Sequence, residues 1–369
     1  MKIPLPGINI FIHGLSAISP QKTWDPTIFL PEITNHNNTD SSLSCVLPDF
    51  KKFIPPMQLR RLSRMARMGI TSAKICLQDG HADRIDAIIT ATGYGFQEDM
   101  ARFLTNLLEQ KEQQLSPVYF AQSGYNAMSG MLALFLNCSG YNNNFVSRGL
   151  AFETALTDAL LLLSEKEPPN VLLGAFDEKS PQQYGEFIRL GYFKKEQINH
   201  LSLFKSQTQG TLHGEGVVFF LLSINPSPQT LCRLKAFHVI PHSCDNQTLT
   251  DGLADFLEIH NIQIEDIDII ISGNSGDIVR DEPCRHLEKT CFCKTTLVRF
   301  KHLTGDYATA SSFAFWLGTM IIRHQYVPPA VLMPLSSPAS RKIPRSVKTV
   351  LIVNHFLGKN YSFILLTKE

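Results

Sequence analysis

A chain of 369 residues with a formal net charge of +1, 44% hydrophobic and 18% charged residues exceeds one simple domain and has apolar material for a large core. A charge so close to zero provides no global field to gather nucleic acid or an anionic membrane. The first fifteen residues mix apolar positions with Pro4, Pro6, Asn9 and His13 and carry no cleavage-like pattern. The longest apolar stretch, residues 311–322, falls short of the roughly 20 needed to span a bilayer, so a cytoplasmic protein without a transmembrane segment is expected.

Residues 8–12 read as a strand entering a turn at Gly14, and the polar segment 35–44 as an exposed loop. Over residues 59–77, Leu59, Leu62, Met65, Ala66 and Met68 recur at helical spacing, with Arg60, Arg61, Arg64 and Arg67 on the other face. That basic face is either simply solvated or a docking surface for an acidic partner. Residues 87–92 form a buried strand. Met100, Phe103, Leu104, Leu107 and Leu108 then give a helical stripe, and 127–136 an almost wholly apolar helix. A short strand at Phe145 and Val146, a buried helix at 155–163 and buried strands at 171–173 and 217–222 follow. Asn225, Pro226 and Pro228 mark a boundary, which divides the chain into halves 1–225 and 226–369. The second half repeats the rhythm: helix 249–260, strand 267–272, apolar helix 311–322 and final strands at 350–353 and 362–366. Alternating buried strands and helices predict a layered α/β fold.

Eight cysteines stand at 45, 76, 138, 232, 244, 284, 291 and 293, several inside apolar runs such as Lys74-Ile75-Cys76-Leu77. They read as buried thiols of a reducing compartment. Cys284-x-His286 and Cys291-x-Cys293 are zinc-ligand types, but the spacings match no common finger. No metal and no other cofactor is expected.

One set of segments carries a family likeness. It comprises Ala91-Thr92-Gly93-Tyr94-Gly95, Ser116-Pro117, Asn126-x-x-x-Gly130, Gly140-Tyr141-Asn142, Glu153 to Ala159, Leu173-Gly174-Ala175 and His213-Gly214-Glu215-Gly216. Residues 267–276, 301–312 and 354–362 continue it in order. Together they resemble the β-ketoacyl synthases over nearly the whole chain. The resemblance implies a thiolase-like five-layered αβαβα fold of two pseudo-duplicated halves. It also implies a dimer paired through an edge strand near Asn144, Phe145, Val146, Ser147 and Arg148.

The chemistry of that family is missing. A condensing member needs a nucleophilic cysteine at a helix N-terminus and two histidines that stabilise an enolate. The resemblance places the nucleophile on Gly149, the first histidine on Gly273 or Asn274, and the second on Asp306. A carboxylate repels an enolate. Lys301 is retained, the glutamate that usually partners it falls on Phe315, and Lys301 is expected to pair with Asp306 instead. Ser147, His302 and His355 lie nearby in sequence alignment, but a serine needs a base within about 3 Å, and both histidines read as satisfied structural residues. The likeness is greatest to the non-condensing chain-length-factor subunits of type II polyene systems, such as those of aryl polyene and flexirubin-type pigments. It implies an active β-ketoacyl synthase as heterodimer partner and a transient acyl carrier protein. Tyr94, Gln97, Met100, Leu104, Tyr119 and Phe120 fall at tunnel or cross-dimer positions, and each also reads as a core side chain. Two other functions remain open on this reading: a thiolase-fold acyltransferase or hydrolase with a non-cysteine nucleophile, and a stand-alone carrier-binding protein.

Overall fold

A computed structural model describes residues 9–36, 41–113, 115–165, 169–242, 244–332 and 344–369. Its strands are β1 (Ile10–Ile18), β2 (Ala87–Thr92), β3 (Tyr141–Val146), β4 (Asn170–Asp177), β5 (Gly216–Ser223), β6 (Cys232–Ile240), β7 (Ile269–Ser272), β8 (Thr296–Arg299), β9 (Thr349–Phe356) and β10 (Asn360–Thr367). The helices are α1 (Pro56–Leu59), α2 (Arg64–Asp79), α3 (Gln97–Glu109), α4 (Pro117–Ser123), α5 (Ala127–Leu136), α6 (Ala151–Ser164), α7 (Pro181–Arg189), α8 (Asn246–Ile259), α9 (Glu282–Thr290), α10 (Lys301–Thr304) and α11 (Ala310–His324).

The strand order is β3-β2-β4-β5-β1-β6-β10-β9-β7-β8. Read outward from the β1–β6 junction, each side runs through the same sequence of roles. β5 and β10 pair antiparallel to their inner and outer neighbours, and the outer strands β2, β3 and β7, β8 pair parallel. The junction itself is short, from Ile10↔Leu234 to Ile12↔Cys232.

Period-two alternation in the strands builds the layers. Ile88, Leu172, Phe219 and Leu221 face one core with α2 and α5, while Ile89, Leu173, Phe220 and Leu222 face a central core. On the other side Ile271, Ile352 and Ile364 face the same central core, whereas Ile270, Leu351, Phe363 and Leu365 pack under α8 and α9. Between the two sheet halves lie α6 and α11. Every residue of α11 from Ala310 to Ile322 is buried, as expected of a helix that is apolar all round and enclosed by two sheets. The stack is αβαβα, the thiolase-like fold expected from the resemblance.

Several local expectations are corrected. β1 does not stop at Gly14: it runs to Ile18 with a bulge between Ile12 and Gly14. The glycine is needed because a Cβ there would meet Cys76 O at 2.3 Å and Gly80 N at 2.6 Å, so α2 lies against the strand at backbone contact. The helix expected over 59–77 is two helices, with α2 starting after Ser63, whose Oγ accepts Ala66 N–H as an N-cap. Arg64 leaves the solvated face to pair with buried Glu215. Of the expected loop 35–44, residues 37–40 lie outside the described residues, and Ser41, Ser42 and Leu43 are buried. Ser42 bridges to His213 as a strand would. The apolar stripe of α3 is not core either: Leu104 is 49% and Leu108 76% exposed.

Candidate functional site

β3 ends at Val146, and Ser147 to Leu150 make the turn into α6. Ser147 and Arg148 are exposed and Gly149 is buried. Arg148 sits at φ +47, a left-handed conformation uncommon for a side chain of its size. A Cβ on Gly149 would stand 2.4 Å from both Cβ and Cδ1 of Phe356. The Phe356 ring, at the end of β9, therefore fills the volume a side chain at position 149 would enter.

The segment after β9 lies in the 354–362 stretch of the resemblance. It is a tight hairpin turn. Phe356 pairs with Asn360, Lys359 N–H donates to Phe356 O at 3.1 Å, and Leu357 and Gly358 both have positive φ, 54 and 66. That pair of conformations defines the type I′ geometry suited to hairpins. Gly358 N–H also donates to His355 Nδ1 at 3.1 Å, so the turn is fastened to a buried side chain.

Behind Phe356 lies a buried polar centre. Lys301 is fully buried; its Nζ donates to His355 O at 2.7 Å and stands 2.9 Å from Asp306 Oδ1. The expected Lys301–Asp306 ion pair is thus present, although neither Asp306 oxygen receives a well-aligned hydrogen bond among the described residues. Burial pushes the Asp306 carboxyl up, with Lys301 pulling the other way. His355 Nε2 lies 3.1 Å from Asp281 Oδ1, and Asp281 also accepts Ser275 N–H, Ser275 O–H and Gly276 N–H. Burial opposes ionisation of Asp281, but the hydrogen bond from His355, its charge and the Ser275 donors hold its carboxyl below the usual range.

Gly273 packs against Asn354, with a Cβ at 273 falling 2.3 Å from Asn354 Oδ1. Asn274 donates to Glu288 Oε1 at 2.7 Å and is turned into structure. Phe315 stacks edge-on with Phe152 and Phe220. Glu153, which opens one of the segments of the resemblance and was given no role at the centre, enters from α6: it is 1% exposed and accepts from Ser362 Oγ at 2.9 Å. Burial raises its carboxyl, offset by Ser311, Ser362 and the field of Lys301. Its presence in a helix whose other buried positions are Ala, Leu and Phe was the signal available in sequence.

Cys284, His302 and His355 are each held in the packed structure. Burial pushes the thiol of Cys284, which feels the charges of Asp281 and Lys301, well above the ordinary range. His302 is buried, its Nε2 is 2.8 Å from Ala330 O, and burial lowers it to about 4, so it is neutral and structural. His355 is engaged by Asp281 and Gly358. Among the described residues no three His, Cys, Asp or Glu side chains are grouped to hold a metal ion.

A cleft beside this centre is lined by Tyr94, Asp177, Phe187, Tyr192, Phe193, His213, Asp306 and Phe356, among others, and measures about 20 Å³. That is the space of about one water. Rings fill it: Tyr94 meets Phe187 at 5.6 Å, Phe187 meets Phe193 at 5.7 Å, and Phe193 stacks on His213 at 4.3 Å. Asp177 ties the walls together, accepting from Thr92 O–H, Gly93 N–H, Thr309 N–H and Thr309 O–H at 2.9–3.0 Å. Burial lifts its carboxyl to about 6 despite these donors. Its neighbour Glu178 accepts Glu98 N–H at 2.8 Å in the first turn of α3. Burial, then the nearby acids Asp99, Glu98 and Glu215, push Glu178 to about 8.

From Tyr94 the chain enters α3, where Gln97 donates to Tyr94 O. Gln97 and Met100 are half-buried and Leu104 half-exposed, so this face borders surface rather than core. α4 packs on α3 through Phe103 and Phe120, ring centroids 5.3 Å apart. Tyr119 is half-buried and Phe120 64% exposed. Beside them stand exposed Leu108, Val118, Tyr125 and Leu134, and on β3 Tyr141 and Val146. β3 is an outer strand of the sheet, with β2 as its neighbour on one side. Asn144 accepts from Thr90 Oγ1 at 2.7 Å, and Phe145 is half-buried against the central core.

Two five-stranded halves around paired central helices, with the buried polar centre between them at the ends of β4, β7 and β9, define the thiolase-like ketosynthase fold. The family model described as β-ketoacyl synthase, N-terminal domain, matches residues 36–200. The match covers less than half of the chain, and the fold of the whole chain is that of solved ketosynthase structures. The chain superimposes on the ishigamide ketosynthase/chain length factor at TM-score 0.77 and 16% identity, over 98% of this chain and 99% of that one. A β-ketoacyl synthase from Burkholderia phymatum STM815 gives 0.79 at 13% identity, over 98% and 100%. The ketosynthase ApeO in complex with its chain length factor ApeC from Xenorhabdus doucetiae gives 0.75 at 14% identity, over all of both chains. At such identities the likeness is one of fold. No curated protein sequence matches the chain. Among the described residues no helix is long and apolar enough to cross a membrane.

Proposed function

We propose that this protein is a non-condensing, chain-length-factor-like subunit that pairs with an active β-ketoacyl synthase and shapes the acyl tunnel of a type II polyene-forming system, with aryl polyene biosynthesis as the setting. It works in the cytoplasm, meets the acyl carrier protein transiently, and is built from halves 1–225 and 226–369. The observation that carries the reading is the occupation of Gly149's side-chain volume by Phe356. The position that would bear the nucleophile is glycine and has no room for a thiol. Lys301 is neutralised by Asp306 where an enolate would need a donor, and Gly273 lies against Asn354.

A partner role is supported by the surface. An outer strand with free backbone groups is a liability unless covered, and the apolar side chains of α3, α4, α5 and β3 cluster around it. In this reading Asn144, Phe145, Val146, Ser147 and Arg148 form the partner edge, and Tyr119 and Phe120 reach across it. Tyr94 closes this subunit's own pocket, leaving Gln97, Met100 and Leu104 to border the partner's tunnel. The test is co-expression with a cysteine-containing synthase encoded nearby, followed by sizing. A 1:1 complex is expected; a stable monomer that ignores each such synthase would overturn the pairing.

A further inference from the structure

The net charge of +1 conceals a local excess. The surface segment from the short turn Phe50–Lys52 through α1 forms a knob that carries Met57, within α1, 82% exposed and the most exposed large apolar side chain among the described residues. Lys51 and Lys52 precede it and Arg60 and Arg61 follow it, all four exposed. None of them makes an ion pair among the described residues. The one acid of the segment, Asp49, caps the first turn by accepting Lys51 N–H at 3.1 Å.

The knob is held from below. Ile54 and Leu62 are buried, and Phe50, Phe53 and Leu59 pack on the core beneath α2. Phe53 O accepts Lys74 Nζ at 2.8 Å, Arg61 O accepts Gln122 Nε2, and Pro55 and Pro56 stiffen the approach. A surface segment anchored at several points thus presents an exposed apolar side chain flanked along the chain by four exposed cations. Core packing does not require Met57 to be apolar.

We propose that this knob docks on an anionic lipid bilayer, with Met57 entering the acyl boundary and Lys51, Lys52, Arg60 and Arg61 meeting headgroup phosphates. A deformable headgroup layer receives a protruding side chain without a shaped socket, and clustered cations are drawn to its surface potential. An acidic protein would have to supply a complementary cavity for Met57.

The test uses the full chain, in complex if it is obtained that way, and sedimentation with vesicles of phosphatidylcholine alone or mixed with phosphatidylglycerol. Partitioning onto the anionic vesicles about tenfold above the neutral ones is expected, falling as salt is raised. Met57→Ser should reduce it several-fold, and the combined change of Lys51, Lys52, Arg60 and Arg61 to glutamine should bring it to the neutral level, both at unchanged thermal stability. Equal partitioning onto both vesicles, or variants that sediment like the wild type, would overturn the proposal. So would capture of an acidic protein through these residues with no vesicle binding.

Discussion

Replacing Gly149 with alanine tests the geometry at the candidate site. The new Cβ would lie 2.4 Å from Phe356 Cβ and Cδ1 and 2.6 Å from Cγ, more than about 1 Å inside optimal carbon–carbon contact. Turning the ring relieves only part of this, because Phe356 Cβ is fixed by the backbone pairing with Asn360. Overpacking of this kind costs roughly 1–3 kcal/mol, which lowers Tm by a few degrees. Phe356→Ala should cost roughly 3–5 kcal/mol if the ring is fully packed, and less to the extent that it borders the cleft. Combined, the two changes should cost less than their sum by about 0.5–3 kcal/mol, since removing the ring admits part of the new side chain. The assay is denaturant or thermal unfolding of the wild type, both single variants and the double. An unchanged Tm for Gly149→Ala, or strict additivity in the double, would mean that position 149 has free volume and the argument against a nucleophile there fails. Gly149→Cys should yield no ketoacyl product, because Asp306 and Gly273 still leave an enolate without donors.

Arg64→Met removes both hydrogen bonds to Glu215, made at 2.9 and 2.5 Å. Burial opposes the Glu215 charge, and Arg64 with the Cys45 and Lys179 N–H groups holds its carboxyl below the usual range. The loss should be about 2–4 kcal/mol, discounted because the arginine side chain is 31% exposed. Glu178 has its carboxyl raised from 4.5 to about 8, so the fold favours its neutral form. Its contribution is complete below about pH 4.5 and lost as pH rises through about 8, and Glu178→Gln should flatten that decline in urea midpoints, worth roughly 3–5 kcal/mol across the window. Phe120→Asp should abolish the complex with a synthase while costing the isolated chain about 0.5–1.5 kcal/mol through loss of the Phe103 ring contact. Met100→Trp should shorten the carrier-bound products of the complex and Met100→Ala lengthen them; identical mass distributions would remove α3 from the tunnel.

The fold was legible because its strands and helices carry their periods plainly. Residues 87–92 and 127–136 match β2 and α5 end to end, since each is a buried run bounded by glycine, asparagine or polar residues. What sequence could not give were contacts between distant segments. Gly14 reads as a turn glycine, and only the approach of Cys76 and Gly80 shows it to be a packing glycine. Arg64 reads as one of four solvated arginines until Glu215, 151 residues away, is brought beneath it. At the candidate site the Lys301–Asp306 pair could be anticipated because both residues lie on one short motif. Glu153 stood in a segment of the resemblance, but that it reaches the centre shows only when α6 is placed against β10 and Ser362. The filling of Gly149's volume by Phe356 could not be anticipated either, because it depends on how far the hairpin of β9 and β10 reaches.

The central claim is that all condensation in the assembled pair takes place on the partner. It is tested most directly by mass spectrometry of carrier-bound products from a complex of this chain with a synthase whose nucleophilic cysteine is replaced by alanine. The account predicts that this complex still assembles 1:1 and makes no condensed product. Condensed product from it, at a rate above that of the carrier and substrates alone, would show that this chain performs the reaction itself and would contradict the account.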